Sequence, residues 1–321
     1  MNRKVILGCS ILAMSLLLLT VITKADEDFT AFYFSDKLTP GAEIKWNVET
    51  LKVTEDFQNE IYFNMSNYNL TQGDTIIIKV QTDPNTLPQP EGWYEQDWFD
   101  VYVNDILIYD NSTIFYCDFE ENGIGTDITE SDVIIPLWFI YPSQLQNSTG
   151  TYYMHDYIYE IAKYYENHTT ESDTDTYGQY RYDYLWTFEF WPEKDNDRVT
   201  INWYLFFNMN MTDITNNKVY HSHLEMKLIL RVNKDGITDQ YYMYVKSESV
   251  LPSQTSNLTL NADGAEPENG TVEFSVVREG YNPPGGTGAG GEENTFAIPL
   301  PMMAPILGII ATGVVVLKRR K

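Results

Sequence analysis

Hydrophobic residues recur with a period of two through the centre of the chain. Tyr184, Trp186, Phe188 and Phe190 fall at every second position, residues 193–197 form a polar turn, and Val199, Ile201, Trp203, Leu205 and Phe207 resume the alternation. Successive side chains of a strand point to opposite faces, so this pattern predicts a hairpin with one buried face. A third alternating run carries Tyr220, Leu224, Met226, Leu228, Leu230 and Val232, and a turn at 233–236 leads to a fourth over 241–246. Near the start, Ile44, Trp46 and Val48 share one phase while Leu51 and Val53 take the other, as in a strand with a bulge. Residues 75–82 carry the Ile/Val run Ile76, Ile77, Ile78 and Val80 after the turn Gln72-Gly73-Asp74 and predict a strand. Residues 98–103 and 106–109 flank Asn104-Asp105, a two-residue hairpin turn. Residues 271–277 predict the last strand.

One segment changes period. Within 151–167, Met154, Tyr157, Ile158, Ile161, Ala162 and Tyr165 fall three and four residues apart, which predicts an amphipathic helix capped by Ser148 or Thr149. The preceding stretch 133–142 holds Pro136 and Pro142 and reads as irregular or edge structure. The predicted fold class is α+β and β-rich: an antiparallel sheet or sandwich with one covering amphipathic helix. It forms one body or two packed parts, about 26–145 and 146–279.

The two ends follow a different pattern. Arg3 and Lys4 precede an uncharged run over 5–23, and Ala25 is followed by Asp26, Glu27 and Asp28, which predicts a signal peptide over 1–25. Residues 296–317 are again uncharged and end at Lys318, Arg319, Arg320 and Lys321. This predicts one C-terminal transmembrane segment with a basic cytoplasmic tail, 318–321. Pro299, Pro301 and Pro305 limit the regular helix to its second half, about 20 Å against a core of about 30 Å, so the proline half belongs at the outer interface. Residues 280–295 contain six glycines and predict a flexible stalk. The resulting expectation is a single-pass cell-membrane protein whose large domain, 26–279, is extracellular.

Charge narrows the partners. All 46 acidic residues lie between the predicted signal and membrane segments, against 14 basic ones, a net charge of about −32. Such a field repels nucleic acid and anionic lipid and attracts cations. Cys117 is the one cysteine outside the signal, so the domain has no intrachain disulfide; its thiol is either a small buried group or an intermolecular bridge. Asn64, Asn69, Asn111, Asn147, Asn167, Asn210, Asn257 and Asn269 each head an N-x-S/T triplet, where composition alone predicts about three, and all eight are candidate glycosylation sites.

Four stretches carry a resemblance. Gly41-Ala-Glu-Ile-Lys-Trp46, Gln72-Gly-Asp-Thr-Ile76, Ile135-Pro-Leu-Trp-Phe-Ile-Tyr-Pro142 and Asn233-Lys-Asp-Gly236, together with the layout, resemble archaeal cell-surface proteins that pair a secretion signal with a C-terminal sorting or anchor tail, the choice-of-anchor S family. The resemblance implies surface location and anchoring, and supplies no catalytic residues. Pro299-Leu-Pro301 stands where such proteins carry a Pro-Gly-Phe-like processing motif.

Candidate chemistry is sparse. His221, His223 and Glu225 share the polar face of one strand, but same-face neighbours lie about 6.8 Å apart, so His221 and Glu225 are too distant to share one ion. Asp118, Glu120 and Asn122, followed by Gly123, match the opening of a calcium loop, although position twelve is Thr129 and Glu130 comes one residue late. Asp173 and Asp175, and the run Asp195-Asn196-Asp197, read as further acidic loops; calcium is the one cofactor they suggest. No nucleophile elbow, phosphate loop or zinc-protease helix occurs, so the domain is read as non-enzymatic. The 24 tyrosines and seven tryptophans read first as core. The expected role is structural or in the envelope. The alternatives are a binding module for carbohydrate, lipid or a protein partner and, third, a hydrolase. Expected partners are the membrane, surface partners or glycans, and further copies of the chain.

Overall fold

The computed structural model describes residues 29–54, 64–65, 68–86, 92–96, 99–109, 113–118, 123–127, 140–250 and 268–284. The predicted signal peptide, membrane segment and basic tail, most of the stalk, and Asn111, Asn257, Glu120 and Asn122 lie outside the described residues.

Chain order begins with β1 (Phe29–Tyr33), β2 (Glu43–Val53), the short pair β3 (Asn64–Met65) and β4 (Tyr68–Asn69), and β5 (Thr75–Val80). Next come β6 (Gly92–Gln96), β7 (Phe99–Val103), β8 (Ile106–Tyr109), β9 (Thr113–Asp118) and β10 (Gly123–Asp127). Then β11 (Gln144–Asn147) and β12 (Gly150–Tyr153) lead into the helix α1 (Met154–Tyr164). The longest strands close the chain: β13 (Asn167–Tyr177), β14 (Tyr180–Lys194), β15 (Arg198–Asp213), β16 (Lys218–Asn233), β17 (Thr238–Val250) and β18 (Glu268–Arg278).

Ten of these form one antiparallel sheet in the order β13-β14-β15-β16-β17-β18-β2-β5-β7-β8. The alternating runs explain its centre. Trp186, Phe188 and Phe190 stand opposite Phe207, Leu205 and Trp203, which in turn meet Leu224, Met226 and Leu228. Most of this apolar face is buried in one cluster that continues through Met243, Phe274, Val276, Trp46, Ile76 and Ile78. Each fully buried side chain of this size contributes about 1.5–3 kcal/mol. The last described strand meets an early one here, because β18 pairs with β2 and brings residues before 145 into the same sheet as those after it.

Three register shifts shape the described sheet, one of them in β8, where Val101 pairs with Tyr109 and Tyr102 with Leu107. Ser275 pairs with Thr50 and Val276 with Val48, so Glu49 is the extra residue that shifts the phase of β2 as its hydrophobic pattern predicts. Arg231 pairs with Gln240 and Val232 with Thr238, leaving Asp239 as the extra residue of β17. The β7–β8 turn has positive φ at both Asn104 and Asp105, the geometry expected of a two-residue hairpin. Gly236 (φ 74°) lies so close to the 141–142 backbone that a Cβ there would stand 2.2 Å from the Tyr141 carbonyl.

A second sheet, β1-β11-β12, and α1 supply the opposing layer. Phe32, Leu145, Met154, Tyr157, Ile158 and Ile161 join the buried cluster, and α1 packs on β14 and β15. The helix is shorter than its periodicity predicts. Thr151 to Tyr153 belong to β12, paired with β11, and Asn167 already opens β13. Capping also differs: the N-cap is Tyr153, without a side-chain cap bond, and Met154 N–H donates to the Ser143 carbonyl. Thr149 instead folds into the β11–β12 turn on Asn147.

Candidate functional site

The face of the large sheet opposite Trp186 and Phe188 carries a row of side chains in register across seven strands. His168, Glu189, Tyr204, Lys227, Tyr244, Glu273 and Lys52 are successive cross-strand partners on β13, β14, β15, β16, β17, β18 and β2. Neighbouring strands lie about 4.8 Å apart, so the row is continuous at side-chain range. Lys227 Nζ sits 5.5 Å from the Tyr204 ring centre and 5.7 Å from that of Tyr244, and pairs with Glu225 at 3.0 Å. Lys52 closes the row on Glu273 at 2.9 Å. Beside it, Phe206 and His223 meet edge to face, 5.1 Å between centres.

Burial shifts the ionisation of three groups in the row, Glu189, Tyr204 and Tyr244. Partial burial, followed by the Glu225 and Glu189 carboxylates, pushes the Tyr204 phenol up to about 12. Burial likewise raises the Glu189 carboxyl above its ordinary range. The phenol is therefore held as a hydrogen-bond donor, and Glu225 accepts from it. Ring faces with one fixed cation and flanking carboxylates can stack on a planar or C–H-rich ligand and orient its polar groups. No nucleophile stands among them.

Further out on the same face, a cleft of about 420 Å³ opens on β13, β14 and β15. The register builds it: Ser172, Leu185 and Asn208 form one cross-strand row, and Thr174, Asp183 and Asn210 the next. Asp183 accepts from Thr174 at 2.7 Å and from Arg181 at 2.8 Å, which holds its carboxyl below the usual range. His221 donates through Nδ1 to Asn210 Oδ1 at 2.9 Å, and His223 is the cross-strand neighbour of Asn208. The two histidines and Glu225 are thus spread along β16 and engage different partners.

The calcium candidates do not converge. Asp173 and Asp175 lie on β13 and not in a loop, because eleven successive residues of that strand pair with β14. Their carboxylates accept from the next backbone N–H, at 2.7 Å each, and Asp173 also from the Tyr184 hydroxyl at 3.3 Å. Charges on an exposed edge strand oppose pairing with another chain. Asp195 and Asp197 form the tight β14–β15 turn, where Asp197 binds Lys234 Nζ at 2.6 Å and that bond lowers its pKa. Asp118 ends β9, its backbone paired with Gly123 of β10. Among the described residues no three or more His, Cys, Asp and Glu side chains are grouped to hold a metal, and no helix is long and apolar enough to cross a membrane.

The glycosylation candidates differ in access. Asn69 and Asn210 are exposed, Asn167 is half-buried, and Asn147 retains 9% exposure. Asn147 Oδ1 accepts from Thr149 N–H, Thr149 Oγ1 and Gly150 N–H. Asn167 Oδ1 accepts from Thr169, which is itself buried. Asn64 and Asn269 lie on strands β3 and β18. Cys117 lies on β9, paired through its backbone with Gly92 and Ile124.

The transverse row is absent from the sequence reading. Its signal was available in the phase of Tyr204, Lys227 and Tyr244, each out of step with the buried set of its own strand, but it emerges only once the hairpin registers are laid side by side.

No family model matches the chain, and neither a curated protein nor a solved structure matches it.

Proposed function

We propose that the chain is a membrane-anchored, N-glycosylated cell-surface protein of structural or envelope role, whose ectodomain presents a folded acidic surface and catalyses no reaction. The observation that carries this is the distribution of charge: two uncharged runs, 5–23 and 296–317, bracket every acidic residue, and four basic residues follow the second. In this reading, residues 1–25 are removed, 280–295 act as a stalk, and the C-terminal run crosses the membrane as a helix whose proline-rich half meets the outer interface. The choice-of-anchor S resemblance agrees with this layout. An acidic exterior on a fold without intrachain disulfides suits solubility in a cation-rich medium, with calcium or other cations as counterions. Sequencing the mature N-terminus and washing membranes with carbonate test it together. A start near Asp26 and full retention in the pellet are expected; release of the intact chain by carbonate refutes the anchor.

A second reading, a binding module, draws on the row Tyr204–Lys227–Tyr244 with Phe206 and His223 beside it. Aromatic side chains thus occupy both faces of the sheet, whereas core packing alone needs them on one. A glycan, lipid and protein ligand screen separates the two readings: saturable binding lost in Lys227→Met favours the module, and no binding leaves the structural role.

A further inference from the structure

We propose that the outer cleft seats the first sugar of a glycan carried on Asn210, one of the residues that line it; this rests on the N-glycosylation reading above. Asn210 heads the triplet Asn210-Met211-Thr212 and is exposed. His221 fixes its amide by donating to Oδ1, which directs Nδ2, the atom that would carry sugar, away from that bond. Two residues earlier on the same face, Asn208 Oδ1 is buried and accepts no hydrogen bond from any described residue. A buried acceptor left unmet costs about 1–3 kcal/mol, so a ligand that brings a donor there is favoured. Same-face neighbours on a strand are about 6.8 Å apart, close to the span of one pyranose ring, so a sugar on Asn210 places its hydroxyl or acetamido N–H near Asn208.

Other lining residues fit the same occupant. Leu185, 38% exposed, offers an apolar patch for the C–H face of the ring, while Ser172, Thr174 and Asp183 offer hydroxyls and a carboxylate at its rim. A cleft of about 420 Å³ lies within the range of small-ligand sites, and an open one lets the rest of a glycan leave into solvent. Asn147 provides the contrast: it is nearly covered, and its Oδ1 is held by a turn.

The attachment itself is a group transfer from a saccharide linked to a lipid phosphate, supplied by the host's transferase. Asn210 Nδ2 forms a bond to the anomeric carbon as that carbon's bond to phosphate oxygen breaks. The lipid phosphate leaves with the electron pair, and the amide nitrogen gives up one proton to a base of the transferase.

The full chain purified from its own host tests this, alongside Thr212→Val, which removes the triplet, and Thr212→Ser, which keeps it. Site mapping by mass spectrometry should find sugar on Asn210 in the parent and in Thr212→Ser, and none in Thr212→Val. Loss of the sugar should lower the melting midpoint by about 2–4 °C and speed amide exchange across β14 and β15. The same three chains made without glycosylation should melt together. Sugar on other asparagines with Asn210 bare overturns this inference and leaves the glycosylated reading standing; no sugar anywhere overturns both. Sugar on Asn210 whose loss changes neither melting nor exchange overturns the seat.

Discussion

Arg278 donates from Nε to Asp239 Oδ1 at 2.6 Å, joining the last strand to the bulge of β17. Asp239 is 0% exposed and also accepts from Arg198 Nε at 2.7 Å and from Asn233 Nδ2 at 2.8 Å. A carboxylate so enclosed is stable only while its cationic partners remain. Arg198 in turn lies over the Tyr281 ring, at 5.0 Å, so the network reaches the start of the predicted stalk. The bulge aims this carboxylate, because β17 in regular register would place it elsewhere.

Asp239→Asn should therefore destabilise the domain by about 3–5 kcal/mol, since it leaves two guanidinium groups facing a neutral amide. Urea unfolding measures it. A loss below about 1 kcal/mol would mean that the pairs are solvated and contribute as surface ion pairs do.

Gly236→Ala should cost at least about 2 kcal/mol. Its positive φ disfavours any Cβ, and the added atom would collide with the Tyr141 carbonyl, which lies in the stretch Gly236 binds. Gly178→Ala has the same sign of φ but open space around it and should cost less. Equal losses at the two sites would show that contact with 141–142 contributes nothing.

His155 predicts a pH dependence. It is 3% exposed at the start of α1, its Nε2 lies 3.1 Å from Asp156, and Nδ1 has no hydrogen-bond partner among the described residues. Burial lowers its pKa below 6.5, with Asp156 opposing. The unfolded chain then binds the proton more readily, so stability rises with pH through this window and falls as pH drops below 6.5 toward the lower folded value. Denaturation midpoints between about pH 5 and 7.5 should decline more steeply on acidification in the parent than in His155→Phe. Parallel curves would contradict the assignment.

Lys227→Met should cost about 1 kcal/mol or less, because the ammonium is partly exposed while its stem stays packed between Tyr204 and Tyr244. Spectrophotometric titration supplies a second check: Tyr204 should ionise at about 12, well above free tyrosine, and Tyr204→Phe should remove that step. A tyrosine population titrating entirely near 10 would show that the row is solvated.

What the residues disclosed by themselves depended on scale. Strand identity in β14 to β17 was legible from alternation, the β2 bulge from one slip of phase, and the β7–β8 turn from Asn104-Asp105. β13 was not, because Thr, Asp and Ser along an exposed edge show no hydrophobic period even though their backbone is fully paired on one side. The helix ends were misread where Thr151 to Tyr153 and Asn167 pair as strand, a tertiary preference that periodicity cannot register. Asp239 and the transverse row depend on register between strands far apart in sequence, and Asn208 matters only because its carbonyl oxygen is buried without a donor.

Surface anchoring is tested most directly by treating intact cells with an external protease and following an epitope placed after Lys321. The ectodomain should be digested while a short C-terminal fragment stays with the washed membrane. A full-length chain protected until the cells are broken, and then recovered in the soluble fraction, would contradict it.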